Sequence, residues 1–108
     1  MKPEITLDVS KYTDTPIGRD TLDGPKNGAD YRDTYVIPEF ENYQLVKLDF
    51  TKTMGTTPSF LEEIFGGIIR KKIMSPQELI QRTDIIYKYE SVRRNVIKYI
   101  NEAAEKLK

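Results

Sequence analysis

Two stretches of the chain hold side chains whose types and spacing suit the binding of charge. TMGTTPS, at positions 53–59, sets a cluster of hydroxyls just ahead of an apolar-periodic run. Free N–H groups and the dipole at a helix N-terminus favour anions, so hydroxyls there suit a phosphate, bound or carried. The simpler role is capping. Thr57 before Pro58 fits an N-cap followed by proline at the first helical position, and Ser59 with Glu62 fits a second capping box. The segment has one glycine and no P-loop lysine pattern, so as a phosphate cradle it is weak. The second stretch, GRDTLDGPKNGADYR at 18–32, gathers Arg19, Asp20, Asp23, Lys26, Asp30 and Arg32. Its acidic residues do not follow calcium-loop spacing, which excludes that site. Arg19, Lys26 and Arg32 are the candidate anion-binding cations, set against the default of a solvated polar loop.

The rest of the composition narrows the chemistry further. Among 108 residues there is no cysteine and no histidine. That excludes disulfides, thiolate nucleophiles, the usual zinc sites, and Ser-His or Cys-His catalysis. Enzyme chemistry would have to rest on carboxylates, lysine, tyrosine or magnesium, and no residue set argues for it. The expectation is no catalytic residue, no cofactor and no metal. Lysine plus arginine equals aspartate plus glutamate at 17 each, so no global field draws in nucleic acid or an anionic membrane. Arg70-Lys71-Lys72 and Arg93-Arg94 are too short to change that. No apolar run approaches the roughly 20 residues of a membrane span, and MKPEITLDVS is not a signal peptide; the expected place is the cytoplasm.

FLEEIFGGIIR, at 60–70, raises a different question. Phe60, Leu61, Ile64, Phe65, Ile68 and Ile69 recur at helical spacing, yet Gly66 and Gly67 stand side by side, each costing about 1 kcal/mol against alanine. One explanation is close approach of another backbone. The other is a flat exposed patch, rimmed by Glu62, Glu63 and Arg70, on which a partner lies.

The elements that position these residues can be read by period. EITLDVS alternates as a half-buried strand, and KYTDTPIGRDTLDGPKNG is a long polar loop spanning 11–28. A short helix follows from Ala29, with Pro38 ending or kinking it near Ile37. NYQLVKLDF, apolar on both faces, reads as the central strand of a sheet covered by helices. The helix beginning near Thr57 comes next, then a short one opened by Ser75-Pro76-Gln77-Glu78, a strand at IIYKY, and a long terminal amphipathic helix from Glu90 to Leu107. This order predicts one α/β domain over 1–108, a small layered structure with a mostly parallel sheet and amphipathic helices.

The runs GRDTLDGPKNGADYRDTYVIPEF, VKLDF and PSFLEEIFGGIIR resemble the small STAS-like domain family of unknown function found in prokaryotes and their mobile elements. The likeness covers roughly residues 14–105. Its most specific piece is SFLEEIFGGIIR, close to a family pattern of Ser-Phe-Leu-(Asp/Glu)-Glu-x-Phe-Gly-Gly-Leu-x-Arg. Anti-sigma-factor antagonist STAS domains carry a phosphorylatable serine after a central strand, and an ungapped overlay from Asp49 sets that serine on Ser59. Thr57, Pro58 and Phe60 depart from the surrounding Asp-Ser-Ser-Gly-like turn. The resemblance implies a non-enzymatic regulatory module that docks a partner, with a histidine-kinase-like ATPase as the partner class. The expected contact residues are Thr57, Ser59, Glu62, Glu63, Gly66, Gly67 and Arg70, with Ser59 the phosphorylation candidate. The competing expectation is a nucleotide or anion sensor in which Arg19, Lys26 and Arg32 meet the N-terminus of the 59–70 helix. A homodimer, through an edge strand or the glycine face, is the third.

Overall fold

A computed structural model describes residues 1–108. Three parallel strands, β1 (Lys2–Asp8), β2 (Tyr43–Asp49) and β3 (Thr83–Ile86), form one sheet in the order β1-β2-β3. NYQLVKLDF is the middle strand, as its apolar content predicts. The register pairs Ile5 with Val46, Leu7 with Leu48, and Leu48 with Ile85, so these side chains share one face. Right-handed crossovers in a 1-2-3 order bring both connections to the same side of the sheet. Val46, Leu48 and Phe50 on that side are fully buried.

The other face departs from expectation. It carries Glu4, Thr6 and Asp8 beside Leu45, Lys47 and Asp49, laced by ion pairs from Lys47 to Glu4 (3.0 Å) and Lys52 to Asp8 (3.8 Å). Leu45 is half-buried there, and helices cover one face only.

The helix after the long loop starts one residue before the expected Ala29. It runs as α1 (Gly28–Tyr31), a π turn (Arg32–Val36) and α2 (Ile37–Phe40). Pro38 does not end it. The preceding turn widens, Ile37 N–H bonding to Arg32 O, and this seats the proline ring that a tight α-turn would set against a carbonyl. Helix α3 (Pro58–Arg70) is capped by Thr57, whose hydroxyl accepts from Phe60 N–H. The Ser59–Glu62 capping box does not form, because Glu62 turns to arginines. Helix α4 (Pro76–Gln81) starts as predicted, Ser75 accepting from Glu78 N–H at 3.1 Å.

Strand β3 sits two residues earlier than IIYKY. It pairs only with β2, and β2 ends where Asp49 faces Ile86, so Tyr87–Tyr89 have no partner strand. Helix α5 (Glu90–Lys106) packs Val96, Ile100 and Ala103 inward against α3 and β3. Phe60, Ile64, Phe65 and Ile68 of α3 are fully buried in the core between them. Arg82, which no sequence signal singled out, is buried and donates to the carbonyls of Phe40, Tyr43 and Gln44, tying the α2–β2 turn to the start of β3.

Candidate functional site

The carboxyl ends of parallel strands are the place where open α/β sheets bind ligands, and β2 leaves the sheet there into the loop 50–57. Thr53 Oγ1 closes the first turn on Phe50 O at 2.7 Å, and Gly55, at φ 126°, takes a conformation open to glycine. The hydroxyls that follow are aimed sideways. Thr56 Oγ1 donates to Pro16 O and Thr57 Oγ1 to Ile17 O, both at 3.0 Å, while Met54 N–H donates to Asp14 O. The loop is thereby stitched to the 13–17 segment, and the hydroxyls of Thr53, Thr56 and Thr57 are engaged before any phosphate arrives. Ser59 is the exception: half-buried at the second position of α3, its hydroxyl makes no hydrogen bond.

The outer rim of this junction is apolar and wet. Met54 is 83% exposed, Ile17 58% and Tyr89 56%. Tyr89 stacks edge-on to Tyr87, and Tyr87 reaches toward Gly55. A shallow cavity of about 260 Å³ opens among Thr51, Thr53, Met54, Tyr87 and Lys88.

The long loop is ordered by its own contacts. Gly18 O and Arg19 O accept the first N–H groups of α1, from Gly28 and Ala29. Tyr12 Oη donates to Asp30 at 2.7 Å and accepts from Asn27 N–H; burial, then the bond to Asp30, pushes its hydroxyl up to about 12.

One step along α3, three arginines close on two carboxylates. Arg19 Nη1 donates to Glu62 (2.6 Å) and Glu63 (3.2 Å); Arg70 grips Glu62 through both Nη atoms (2.6 and 3.1 Å). Arg32 lies against Glu63, donating to its carboxylate at 2.7 Å and its main-chain carbonyl at 2.8 Å, with Asp33 on its other edge. Burial raises the Glu62 carboxyl, but the bonds from Arg70 and then Arg19 outweigh it and hold the group below the usual glutamate value. This clasp ties the long loop and the α1–α2 helix to α3.

The glycine pair belongs to the clasp. Both glycines are buried, so of the two explanations the open patch is absent. A Cβ on Gly67 would overlap Arg32 Nη1, and one on Gly66 would overlap Glu62 Oε2 and lie 2.9 Å from Arg70 Nη1. Gly66 is the gap that lets Glu62 reach Arg70 two turns away, and Gly67 is the bed of the Arg32 guanidinium. The close backbone approach also exists, but at another glycine: a Cβ on Gly28 would lie 2.7 Å from Phe60 O, where α1 crosses α3.

The candidate anion-binding cations do not converge on the α3 N-terminus. Arg19 and Arg32 meet the helix one to two turns further on, paired with Glu62 and Glu63, and Lys26 lies over the Tyr12 ring at 4.7 Å. Each already has a partner within the chain. No group of three acidic side chains is placed to hold a metal ion.

A family model described as a STAS-like domain of unknown function matches residues 34–87. The chain belongs to that family. The matched segment is shorter than the 14–105 likeness read from motifs; it holds the central strand, the loop 50–57 and all of α3, and ends at Tyr87. Neither a curated protein nor a solved structure matches the chain. In this STAS-like domain, Glu62, Glu63, Gly66, Gly67 and Arg70 lie inside the matched segment, whereas their partners Arg19 and Arg32 lie before it. No helix is long and apolar enough to cross a membrane.

Proposed function

We propose that this STAS-like domain is a regulatory protein-interaction module without catalysis of its own, and that it docks its partner through the β2–α3 junction. The observation that carries the reading is three exposed apolar side chains, Ile17, Met54 and Tyr89, on the segments beside the carboxyl end of the sheet, where the loop 50–57 is tied down by hydrogen bonds. Exposed apolar side chains rimmed by polar ones, on a preorganised surface, are what a partner buries. Thr57 and Ser59 form the floor of that surface, and Glu62, Glu63 and Arg70 its charged flank; Gly66 and Gly67 support the flank from beneath. The resemblance to anti-sigma-factor antagonist domains supports a histidine-kinase-like ATPase as the partner. Ser59, with a free hydroxyl in the first turn of α3, is the residue at which phosphorylation would act, adding charge that the helix N-terminal dipole tolerates and the docked surface does not.

Affinity capture from the source cells tests this with wild type, Met54→Glu and Ser59→Glu. A protein retained by wild type and lost from both variants, each still folded by circular dichroism, supports docking at the junction. Retention by all three removes the junction from consideration, and recovery of only a second copy of the chain replaces the partner by a homodimer.

A further inference from the structure

A groove of about 500 Å³ runs between α3 and α5, walled on one side by the arginine–glutamate clasp itself. Ala103 lies along it, and Arg19, Arg70, Tyr99, Glu102 and Lys106 stand around it. Its electrostatics divide in a definite way. Glu62 and Glu63 are occupied by three arginines, yet two of those arginines are not exhausted: Arg19 Nε and Nη2 and Arg70 Nε make no hydrogen bond. Lys106 has no carboxylate within 4 Å, so one side of the groove presents unused donors. Glu102 meets only Lys98, at 3.8 Å, and is the unused acceptor. Burial, then the charges of Glu102 and Glu62, raise the Tyr99 hydroxyl, which keeps its proton as a further donor.

The charges lining the groove balance, so a simple anion gains little there, and a simple cation no more. We infer that the α3–α5 groove binds a small zwitterion, an amino acid or short peptide with both termini free, its carboxylate on Arg19 and Lys106 and its ammonium on Glu102 beside the Tyr99 ring. A volume of this size fits a ligand of that class, and an ammonium beside a tyrosine ring adds a cation–π contact. The inference does not depend on docking at the β2–α3 junction.

The test is an amide chemical-shift titration with glycylglycine, using N-acetylglycine, glycinamide and inorganic phosphate as controls at equal ionic strength. At about 10 mM a millimolar site is nearly saturated. Glycylglycine is expected to give saturable shifts within 62–70 and 99–106, with the two single-charge analogues about tenfold weaker, the loss of one charge-assisted hydrogen bond. Lys106→Gln and Glu102→Gln, both on exposed turns, are each expected to weaken it by the same factor without moving the thermal midpoint. Equal shifts from N-acetylglycine or phosphate would overturn the zwitterion in favour of an anion. No saturable shift from any probe would reduce the groove to a solvated seam.

Discussion

Alanine at Gly67 should destabilise the fold and alanine at Gly66 should not, although the residues are neighbours on one helix. Both substitutions gain about 1 kcal/mol of helix propensity. At Gly67 the new Cβ overlaps Arg32 Nη1 and lies 3.0 Å from both Cδ and Cζ, so the guanidinium must leave its bed. That side chain is 6% exposed and gives two of its bonds to Glu63. Charge-assisted hydrogen bonds contribute about 1.5–3 kcal/mol each, and losing one or two outweighs the propensity gain. The expected result is a net loss of about 0.5–5 kcal/mol, or roughly 2–20 °C in thermal midpoint for a domain of this size. At Gly66 the Cβ displaces the Glu62–Arg70 pair, whose side chains are 23% and 40% exposed. Such a pair is worth about 0–1 kcal/mol, so Gly66→Ala should be neutral or up to about 1 kcal/mol more stable. Urea unfolding followed by circular dichroism measures both. A Gly67→Ala variant as stable as wild type would refute the clasp as a buried device. By the same geometry Gly67→Arg is expected to unfold the chain, so it does not report on docking.

Gly28→Ala should cost about 1–3 kcal/mol, because its Cβ meets the main-chain carbonyl of Phe60, which cannot rotate away; the urea midpoint checks it. Thr57→Ala should cost about 1–2 kcal/mol from the lost cap and the lost bond to Ile17 O, with Thr57→Ser near wild type in the same assay. The Glu62 carboxyl has a folded value below its unfolded one, near 4.3, so its contribution is present above that pH and disappears as pH falls through the folded value. Stability measured between about pH 6 and pH 3 should therefore fall more steeply in wild type than in Glu62→Gln.

Element types were legible because period and capping agreed: Thr57-Pro58 and Ser75-Pro76 mark helix starts that the structure keeps. The strand at 83–86 was displaced because local β-propensity in IIYKY says nothing about where its neighbour ends. Pro38 marked the place where the helix passes from a π turn to an α turn, at Ile37, but not that the helix continues, since a π turn is a tertiary accommodation with no local signature. The candidate site was legible as residues but not as contacts. Glu62, Glu63, Gly66, Gly67, Arg70, Arg19 and Arg32 were all marked, yet their sequence positions left the glycines open between close backbone approach and an exposed patch, and gave the carboxylates and arginines no partners. Only the crossing of α1 over α3, permitted by Gly28, brings Arg32 onto Gly67 and turns separate charges into one clasp. The exposed rim was missed because a lone methionine and a lone isoleucine in a polar loop carry no period; their isolation among turn residues was the available signal.

Amide hydrogen exchange on the domain with and without its captured partner tests the central claim most directly. Docking at the junction predicts slowed exchange in residues 51–58, around Ile17 and at 87–89, with the strand Lys2–Asp8 unchanged. Slowing confined to Lys2–Asp8, or to the outer turns of α5, with the loop 51–58 unaffected, would contradict it.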